Sequence, residues 1–531
     1  MSTGPAAAGP EVSGNSRLMV LLAMAMFVLV VDTSLMNVSI SAVVTDLDTT
    51  ASGVQSAIAL EALVSAPFIL INSKVGDLIG RRRAYALGLL AYAVGALAMT
   101  LAQDLTAIII FWAIIGGLGA SLLLPAMQSL IHGNFTGAAQ KKAYALVGAS
   151  AAIAAAIGPL LGGFVTTYLS WRVGFALEVV IIGVVLSQIR LVRDVPYTGS
   201  RKVDVVGAIL SALGMGGVVL GILVWQEGGE FVLLLMAVGA VALGALGWWL
   251  VRRKRAGQSA LIDPDLFRQP NFTAGISGQT LQQVVLGGAM IALPLFLQMT
   301  LEYNAMEAGL SLAPLSLTMF AAALVAGKKA GARRPATVIR AGFLMACLGM
   351  ALIIPLVPRV SSGWYLVVPL AITGCGLGLL VSQLNNYTLA PVQEARVSEA
   401  AGVNSAAGSF GLSFGLAMAG GIMLAALSIS FTNMAESSSV IPASQQKQIA
   451  AALEDDAEVM SNTQLDQQIE GQPPAVEAEV LAINDDARNL SLQVALLVPL
   501  LAGLLGLVNS FRMLRLPDLK PSTAMEGMDF G

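Results

Sequence analysis

Three acidic residues stand inside long apolar runs: Asp32 in LVVDTSLMNVSI, Glu61 in AIALEALVS and Glu178 in SWRVGFALEVV. No Lys, Arg or His lies between Arg17 and Lys74 to neutralise the first two. A charge at bilayer depth costs at least ~2.5–3.5 kcal/mol on the insertion scale, so each acid is expected to be neutral much of the time or to do chemistry. Asp32 lies 15 residues beyond Arg17. That is ~22 Å along a helix rising ~1.5 Å per residue, or ~8–10 Å below the outer face of a ~30 Å hydrocarbon core. The same arithmetic puts Glu61 ~10 Å down from the expected outer start of its helix, and Glu178 ~9 Å down from Arg172. The three carboxyls are thus expected at one level, on three helices, with no cation there. Burial and mutual repulsion both favour the protonated acid. At least one is expected to hold a proton near neutral pH and to exchange it when a cavity opens. This suits a proton carrier, or a site for a cationic substrate that displaces protons.

The elements that position these residues follow from composition. The 531-residue chain is 56% hydrophobic and 11% charged, with mean hydropathy +0.78, against about 25% charged for a soluble domain. It is an all-α polytopic membrane protein. Apolar stretches of the necessary ~20 residues fall at 18–43, 53–74, 84–103, 105–128, 142–169, 173–190, 205–226, 231–251, 272–299, 305–327, 337–357, 363–390, 401–430 and 490–511, which makes fourteen spans. With the N-terminus inside, all of the 29 Lys and Arg except Arg172, Arg359, Lys447 and Arg488 fall in cytoplasmic segments. Positive residues favour the inside, so both termini are expected to be cytoplasmic. The net charge of −3, with no basic tract interleaved with aromatics, gives no sign of nucleic-acid binding. Cys347 and Cys375 lack metal-ligand spacing and read as packing residues. Residues 1–16 lack the basic start of a signal peptide, and the following apolar run is too long for one. There is no P-loop to use ATP and no nucleophile–base constellation. The chain is expected to be no enzyme, with no cofactor beyond a proton gradient.

The expected organisation is a disordered cytoplasmic N-terminus (1–16), a six-helix bundle (17–200), two linker helices (201–255), helices 9–13 of a second bundle (256–430), a long acidic external loop (431–489), and helix 14 with a cytoplasmic tail (490–531). The loop holds eleven Asp and Glu against Lys447 and Arg488. Its stretches SQQKQIAAALEDD and AVEAEVLAINDDARN have helical spacing around Gly471, Pro473 and Pro474, which reads as a helical hairpin or a solvated acidic cap. NSKVGDLIGRRRAYALG after helix 2 is similar to VAGKKAGARRPATVIRAG after helix 10. AIIGGLGASLLLP in helix 4 is similar to AITGCGLGLLVSQ in helix 12. Such internal similarity suggests two related bundles.

Several local patterns resemble one family. Asp32-Thr33 through Asn37 resembles its helix 1 motif. Gly76-Asp77-x-x-Gly80-Arg81-Arg82 resembles its helix 2–3 loop motif, with Ser73 where a leading Gly is usual. Gly158-Pro159-Leu160-Leu161-Gly162-Gly163 resembles its helix 5 antiporter motif. SWRVGFALEVV and LPLFLQMTLEYNAMEAGLSLAP resemble the starts of helix 6 and of helices 9–10. Together these resemble the major facilitator superfamily, and within it the fourteen-helix drug:proton antiporters. The resemblance implies a 6+2+6 arrangement, alternating access by rocking of two bundles, and export driven by inward proton flow.

In the loop motif Asp77 is expected beside Arg81, Arg82 and Arg83, as a cytoplasmic latch with Glu394 and Arg396 as candidate partners. In the helix 5 motif the small residues allow close packing, and Pro159 bends the helix. There are departures from the family. Ala113 stands where an Arg is common in helix 4, Glu61 stands at an aromatic place, Glu178 stands at a neutral one, and helix 13 has no acid. Gln279, Gln282 and Gln283 with Gln383, Asn385 and Asn386 suit either a cavity lining or interhelical bonding. His132 reads as an ordinary interface residue. The leading expectation is a monomeric proton-coupled exporter of cationic or amphiphilic small molecules in a bacterial cytoplasmic membrane, with the external loop open to a partner. The alternatives are an exporter of a lipid or other native amphiphile, and a non-transporting sensor or scaffold acting through its external loop.

Overall fold

The computed structural model of the chain describes residues 16–135, 137–194, 204–226, 229–328, 333–360, 362–393, 396–442 and 473–517, together with Gln446, Leu465 and Ile469. Among these residues the secondary structure is helical, with no strand. The first bundle comprises α1 (Ser16–Val38), α2 (Ala51–Ile79), α3 (Arg81–Leu101), α4, α5 (Gly137–Tyr168) and α6 (Trp171–Ser187). Helix α4 runs without a break through Leu105–Ala107, a π-helical stretch Ile108–Gly116, and Gly117–Asn134. The linker pair is α7 (Val205–Gln226) and α8 (Val232–Arg255). The second bundle comprises α9 (Pro270–Leu295, continuing as π-helical Phe296–Thr300), α10 (Ala305–Lys328), α11 (Pro335–Leu356), α12 (Val367–Leu389), α13 (Val397–Ser437) and α14 (Leu497–Arg515). Two outer helices, Ile40–Leu47 and Pro474–Ala495, complete the described set.

Thirteen of the helical stretches are long and apolar enough to cross a membrane. Helix α6, with 17 residues, is the shortest, still within the ~17–25 that span a bilayer, and it makes the fourteenth. Turn residues punctuate the spans where the apolar runs stop. The Thr50 hydroxyl accepts from Gly53 N at 3.1 Å to start α2, and Asp104 accepts from Ala107 N at 2.8 Å to start α4. Helix α13 runs past its expected end at residue 430. Its 41 residues reach ~61 Å at ~1.5 Å per residue, about twice the hydrocarbon core. The overhang persists because it has something to bury: Leu427, Phe431 and Ala435 pack with Ile441 against Val476, Val480, Ile483 and Ala487 of the outer helix. The stretch SQQKQIAAALEDD lies, apart from Gln446, outside the described residues.

The apolar cores explain how the two bundles meet. At the end opposite the basic loops, here called outer, one continuous core joins both bundles. It contains Met36, Val54 and Ile58 from the first, and Leu293, Leu297, Leu312 and Leu416 from the second. At the inner end each bundle has its own core, one around Leu22, Tyr85 and Leu130, the other around Phe343, Leu380 and Leu384. A third inner core bridges them, with Ile69 and Leu70 of α2 against Val403 and Ala406 of α13, joined by Leu246 and Leu250 of α8, Phe272 of α9 and Leu389 of α12. The outer end is therefore shut more extensively than the inner.

Two seams carry this closure. In the first, α5 lies between α1 and α10 at backbone contact. A Cβ on Gly158 would meet Ser34 at 2.5 Å, and one on Gly162 would meet Leu35 Cα at 2.8 Å. On the opposite face, a Cβ on Gly163 would lie 2.4 Å from the Ala305 carbonyl, and one on Gly309 would lie 2.3 Å from the Pro159 carbonyl. In the second seam Ser413 Oγ donates to the Ala59 carbonyl at 2.6 Å. Helix α7 packs over that seam against both α2 and α13.

The linker is tied down at the inner end. Buried Asp204 accepts from Gly207 N (3.0 Å), Trp249 Nε1 (3.0 Å) and Leu261 N (3.1 Å), with Arg253 at 3.4 Å. Asp263 bonds Lys254 and pairs with Arg396 at 2.7 Å, while its N–H donates to Glu399 at 2.6 Å. This clasp joins α8 to the start of α13. Partial burial alone would raise the Asp263 carboxyl, but Lys254, the Asp265 N–H and Arg396 outweigh it and hold the group below its ordinary value.

Two outcomes follow. Gly309→Val or Gly163→Val forces α5 and α10 apart, and should make outer-half cysteine reporters at least tenfold more reactive to a membrane-impermeant thiol reagent. A depressed carboxyl contributes above the unfolded value of ~3.9 and loses that contribution as pH falls through the lower folded value. The clasp should therefore hold from neutral pH down to about 4, whereas Asp263→Asn should expose the 256–263 segment to limited proteolysis at neutral pH.

Candidate functional site

Asp32 is 1% exposed, two-thirds of the way along α1. Two donors from neighbouring helices converge on it. The Tyr92 hydroxyl of α3 donates to Oδ2, and Trp112 Nε1 of α4 reaches Oδ1 and Oδ2 at 3.1 and 3.0 Å. Trp112 stands in the π-helical part of α4, a wider turn of the kind that often marks functional sites. Its indole meets Phe175 edge-on at 6.3 Å, and Phe175 meets Trp171 edge-on at 6.1 Å. The ladder ends at the outer surface, where Trp171 Nε1 donates to Asp46 at 3.0 Å and Arg172 pairs with the same carboxylate.

Glu178 on α6 is 2% exposed, and among the described residues neither of its oxygens has a hydrogen-bond partner. Glu61 on α2 is partly exposed. Both are close enough to Asp32 to repel it, and Tyr92 feels the field of all three. No Lys or Arg among the described residues forms an ion pair with any of them. The structure thus brings the three acids of the sequence reading together. It adds Tyr92 and Trp112, which sequence reasoning missed. Their signal was available: aromatic residues with a polar tip, deep in apolar runs, need a buried partner. Beside Ala113, where a basic residue is common in the resembled exporters, Trp112 supplies a neutral donor instead. An unpaired carboxylate buried here costs several kcal/mol, which the neutral acid avoids. Such a group is suited to holding and releasing a proton as its surroundings open and close.

The other candidates are spread out. Thr33 is partly exposed, and Asn37 is buried with its Oδ1 unpartnered among the described residues. At the inner loop Gly80 has φ +96° and joins α2 to α3; Asp194 lies over it and accepts from Arg82 N at 3.0 Å. Gly76 backs onto the buried Arg81 guanidinium. The side chains of Asp77 and His132, and all of Glu394, lie outside the described residues. Arg396, expected near Asp77, pairs with Asp263 of the linker. Gly158, Pro159, Gly162 and Gly163 form the α1–α5–α10 seam.

In the second bundle Gln282 and Gln383 are buried and bond their neighbours Gln283 (3.2 Å) and Ser382 (3.5 Å). Gln279 and Gln283 flank Gly408, and Asn385 accepts from Asn404 at 3.0 Å. Asn386 is partly exposed. Gln279, Gln283, Asn385 and Asn404 therefore bring three helices of neutral amides together. Asn404, in the SAAG-rich start of α13, was not singled out from sequence.

This arrangement can be set beside known proteins. The family model described as Major Facilitator Superfamily matches residues 22–416. The chain belongs to the Major Facilitator Superfamily. Among its relatives, a probable actinorhodin transporter of Streptomyces coelicolor is 25% identical over 73% of this chain and 69% of its own length. A puromycin resistance protein of Streptomyces alboniger is 28% identical over 77% of this chain and 82% of its own. A bacterial homologue of the human lysosomal transporter Spinster, solved in an inward-facing unoccupied conformation, superposes with a TM-score of 0.62 at 13% identity, covering 96% of this chain and 99% of that one. The likeness to that structure concerns the fold. Within this major facilitator chain the acid cluster belongs wholly to the first bundle and the amide set to the second.

Trp112→Phe keeps the ring contact with Phe175 but removes the donor to Asp32. A hydrogen bond to a charged group is worth ~1.5–3 kcal/mol. The variant should therefore remain folded by thermal melting and lose roughly tenfold or more in proteoliposome flux.

Proposed function

We propose that this protein is a proton-coupled antiporter that exports cationic or amphiphilic small molecules across a bacterial cytoplasmic membrane by alternating access. The observation that carries this reading is the group of three acids in the first bundle, Asp32 and Glu178 buried and Glu61 partly exposed, with no ion pair to a Lys or Arg among the described residues. Relatives named for actinorhodin transport and puromycin resistance support small-molecule export. The proton gradient is the energy source in this reading, and no cofactor is required.

The mechanism follows from the geometry. With the inner side accessible, a cationic or amphiphilic substrate enters between the acids of the first bundle and the amides Gln279, Gln283, Asn385 and Asn404 of the second. Its charge stabilises ionised Asp32 or Glu61 and displaces a proton, so substrate and proton compete for one site. Rocking about the α5–α10 and α2–α13 seams opens the outer core. Protonation from outside removes the negative charge and releases the substrate, and Tyr92 and Trp112 hold Asp32 in place through both protonation states. The amides hydrogen-bond the neutral polar part of the substrate.

The test is flux of a cationic dye in proteoliposomes under an imposed pH gradient. Wild-type protein should move protons when substrate is added, and Asp32→Asn should abolish that movement. Glu178→Gln should retain folding and weaken the pH dependence of export. Unchanged flux and pH dependence in Asp32→Asn would exclude the coupling role.

A further inference from the structure

Three amides are buried in the outer core that closes the transporter. Asn37, Gln55 and Gln298 are each 5% exposed or less. Asn37 Oδ1, both polar atoms of Gln55, and Gln298 Nε2 have no hydrogen-bond partner among the described residues. Their positions are linked. Gln298 lies in the π-helical end of α9, and its Oε1 accepts from Ser41 N at 3.2 Å. Ser41 is four residues beyond Asn37, past the bend at Ser39. The α1 residues Ser34, Leu35 and Val38 face the glycines of α5, which leaves Asn37 and Thr33 on the side towards the second bundle. Gln55 is one turn inside Ala51, which lines an outer cavity with Leu295, Phe296 and Met299. It is also one turn outside Ala59, the seam partner of Ser413. Their apolar neighbours Met36, Val54, Leu297 and Ala417 belong to one core. The three amides thus occupy the layer between Asp32 and the outer face.

A seal that stayed dry would be more stable with Leu at all three positions, because buried polar atoms without partners lose their hydration. Amides that can each bind water by donor and acceptor suit a layer that is hydrated for part of the cycle. We infer that Asn37, Gln55 and Gln298 line the path by which protons reach Asp32 from the outer face. Water held by the amides accepts a proton from external hydronium and passes another on. The last transfer turns the Asp32 carboxylate into the acid, and the amides stay neutral throughout. The other titratable groups at the inner end of this path are Glu61, Glu178 and Tyr92. At its outer end Arg488 donates to the Met299 carbonyl beside Gln298 at 2.9 Å, and Asp46 is paired with Arg172. This inference rests on the proton-coupled reading above and adds the outer route to it.

The experiment uses full-length protein in liposomes containing an internal pH dye, with acid outside and a cationic dye as substrate. Gln55→Leu, Gln298→Leu and Asn37→Leu should each slow substrate-coupled proton influx and export at least tenfold. Dye Kd in detergent at fixed pH should stay within twofold of wild type, and melting temperature should be equal or higher. Gln55→Asn and Gln298→Asn, which keep an amide, should retain at least half the rate. Leu variants that couple as wild type would overturn the route while leaving the antiport reading in place. Wild-type protein that moves no protons on substrate addition would overturn both.

Discussion

Asp32 is a carboxyl group buried within an apolar helix bundle with two neutral donors and, among the described residues, no ion-pair partner, and much of the first bundle is arranged around that condition. Tyr92 from α3 and Trp112 from α4 must arrive at the same oxygens, so three helices are held in register by one side chain. The indole needs a π-helical turn to point there, and Phe175 and Trp171 then buttress it out to the surface. Glu61 and Glu178 add repulsion where an arginine would have added attraction. A site satisfied by a guanidinium would be settled in one charge state; a site satisfied by a phenol and an indole tolerates two.

Closure of the outer half depends on a different economy. Helices α5 and α10 touch at carbonyl distance because glycines face each other across the bundles, and α2 meets α13 through a hydroxyl and a carbonyl. Both contacts use backbone and small side chains, which can part without leaving a buried charge behind. At the inner end a smaller core joins the bundles beside the α2–α13 seam. There the linker pair α7–α8 covers it and the Asp263 clasp ties the linker to α13. The insertion of two helices is therefore more than a spacer: it braces the α2–α13 seam.

Much of this was legible in the sequence. The motifs around Asp32, Gly76 and Gly158 carried the resemblance to the family, and apolar runs of membrane length marked an all-helical membrane protein. The reason is that a bilayer leaves the backbone few ways to satisfy itself. Depth counting from Arg17, from the expected outer start of helix 2 and from Arg172 selected Asp32, Glu61 and Glu178 as a group, because a helix converts residue number into distance. The glycines around Pro159 announced close packing. What escaped were partners across the bundle: Tyr92 and Trp112 on Asp32, Arg396 on Asp263, and Asn404 on Asn385. Each joins residues from 19 to 133 positions apart, and nothing in local spacing says which faces of two helices will meet.

The sequence by itself determined the class of fold, the apolar runs that become its long helices, and the presence of three acids inside those runs. Those depend on hydropathy, charge and the constant rise of a helix, all of which are local. Only the tertiary structure decided what the acids face, which glycines belong to which seam, and that polar atoms of three buried amides lack partners among the described residues. Rotation of each helix about its axis is set by packing against neighbours, and π turns in α4 and α9 change that rotation where Trp112 and Gln298 must point.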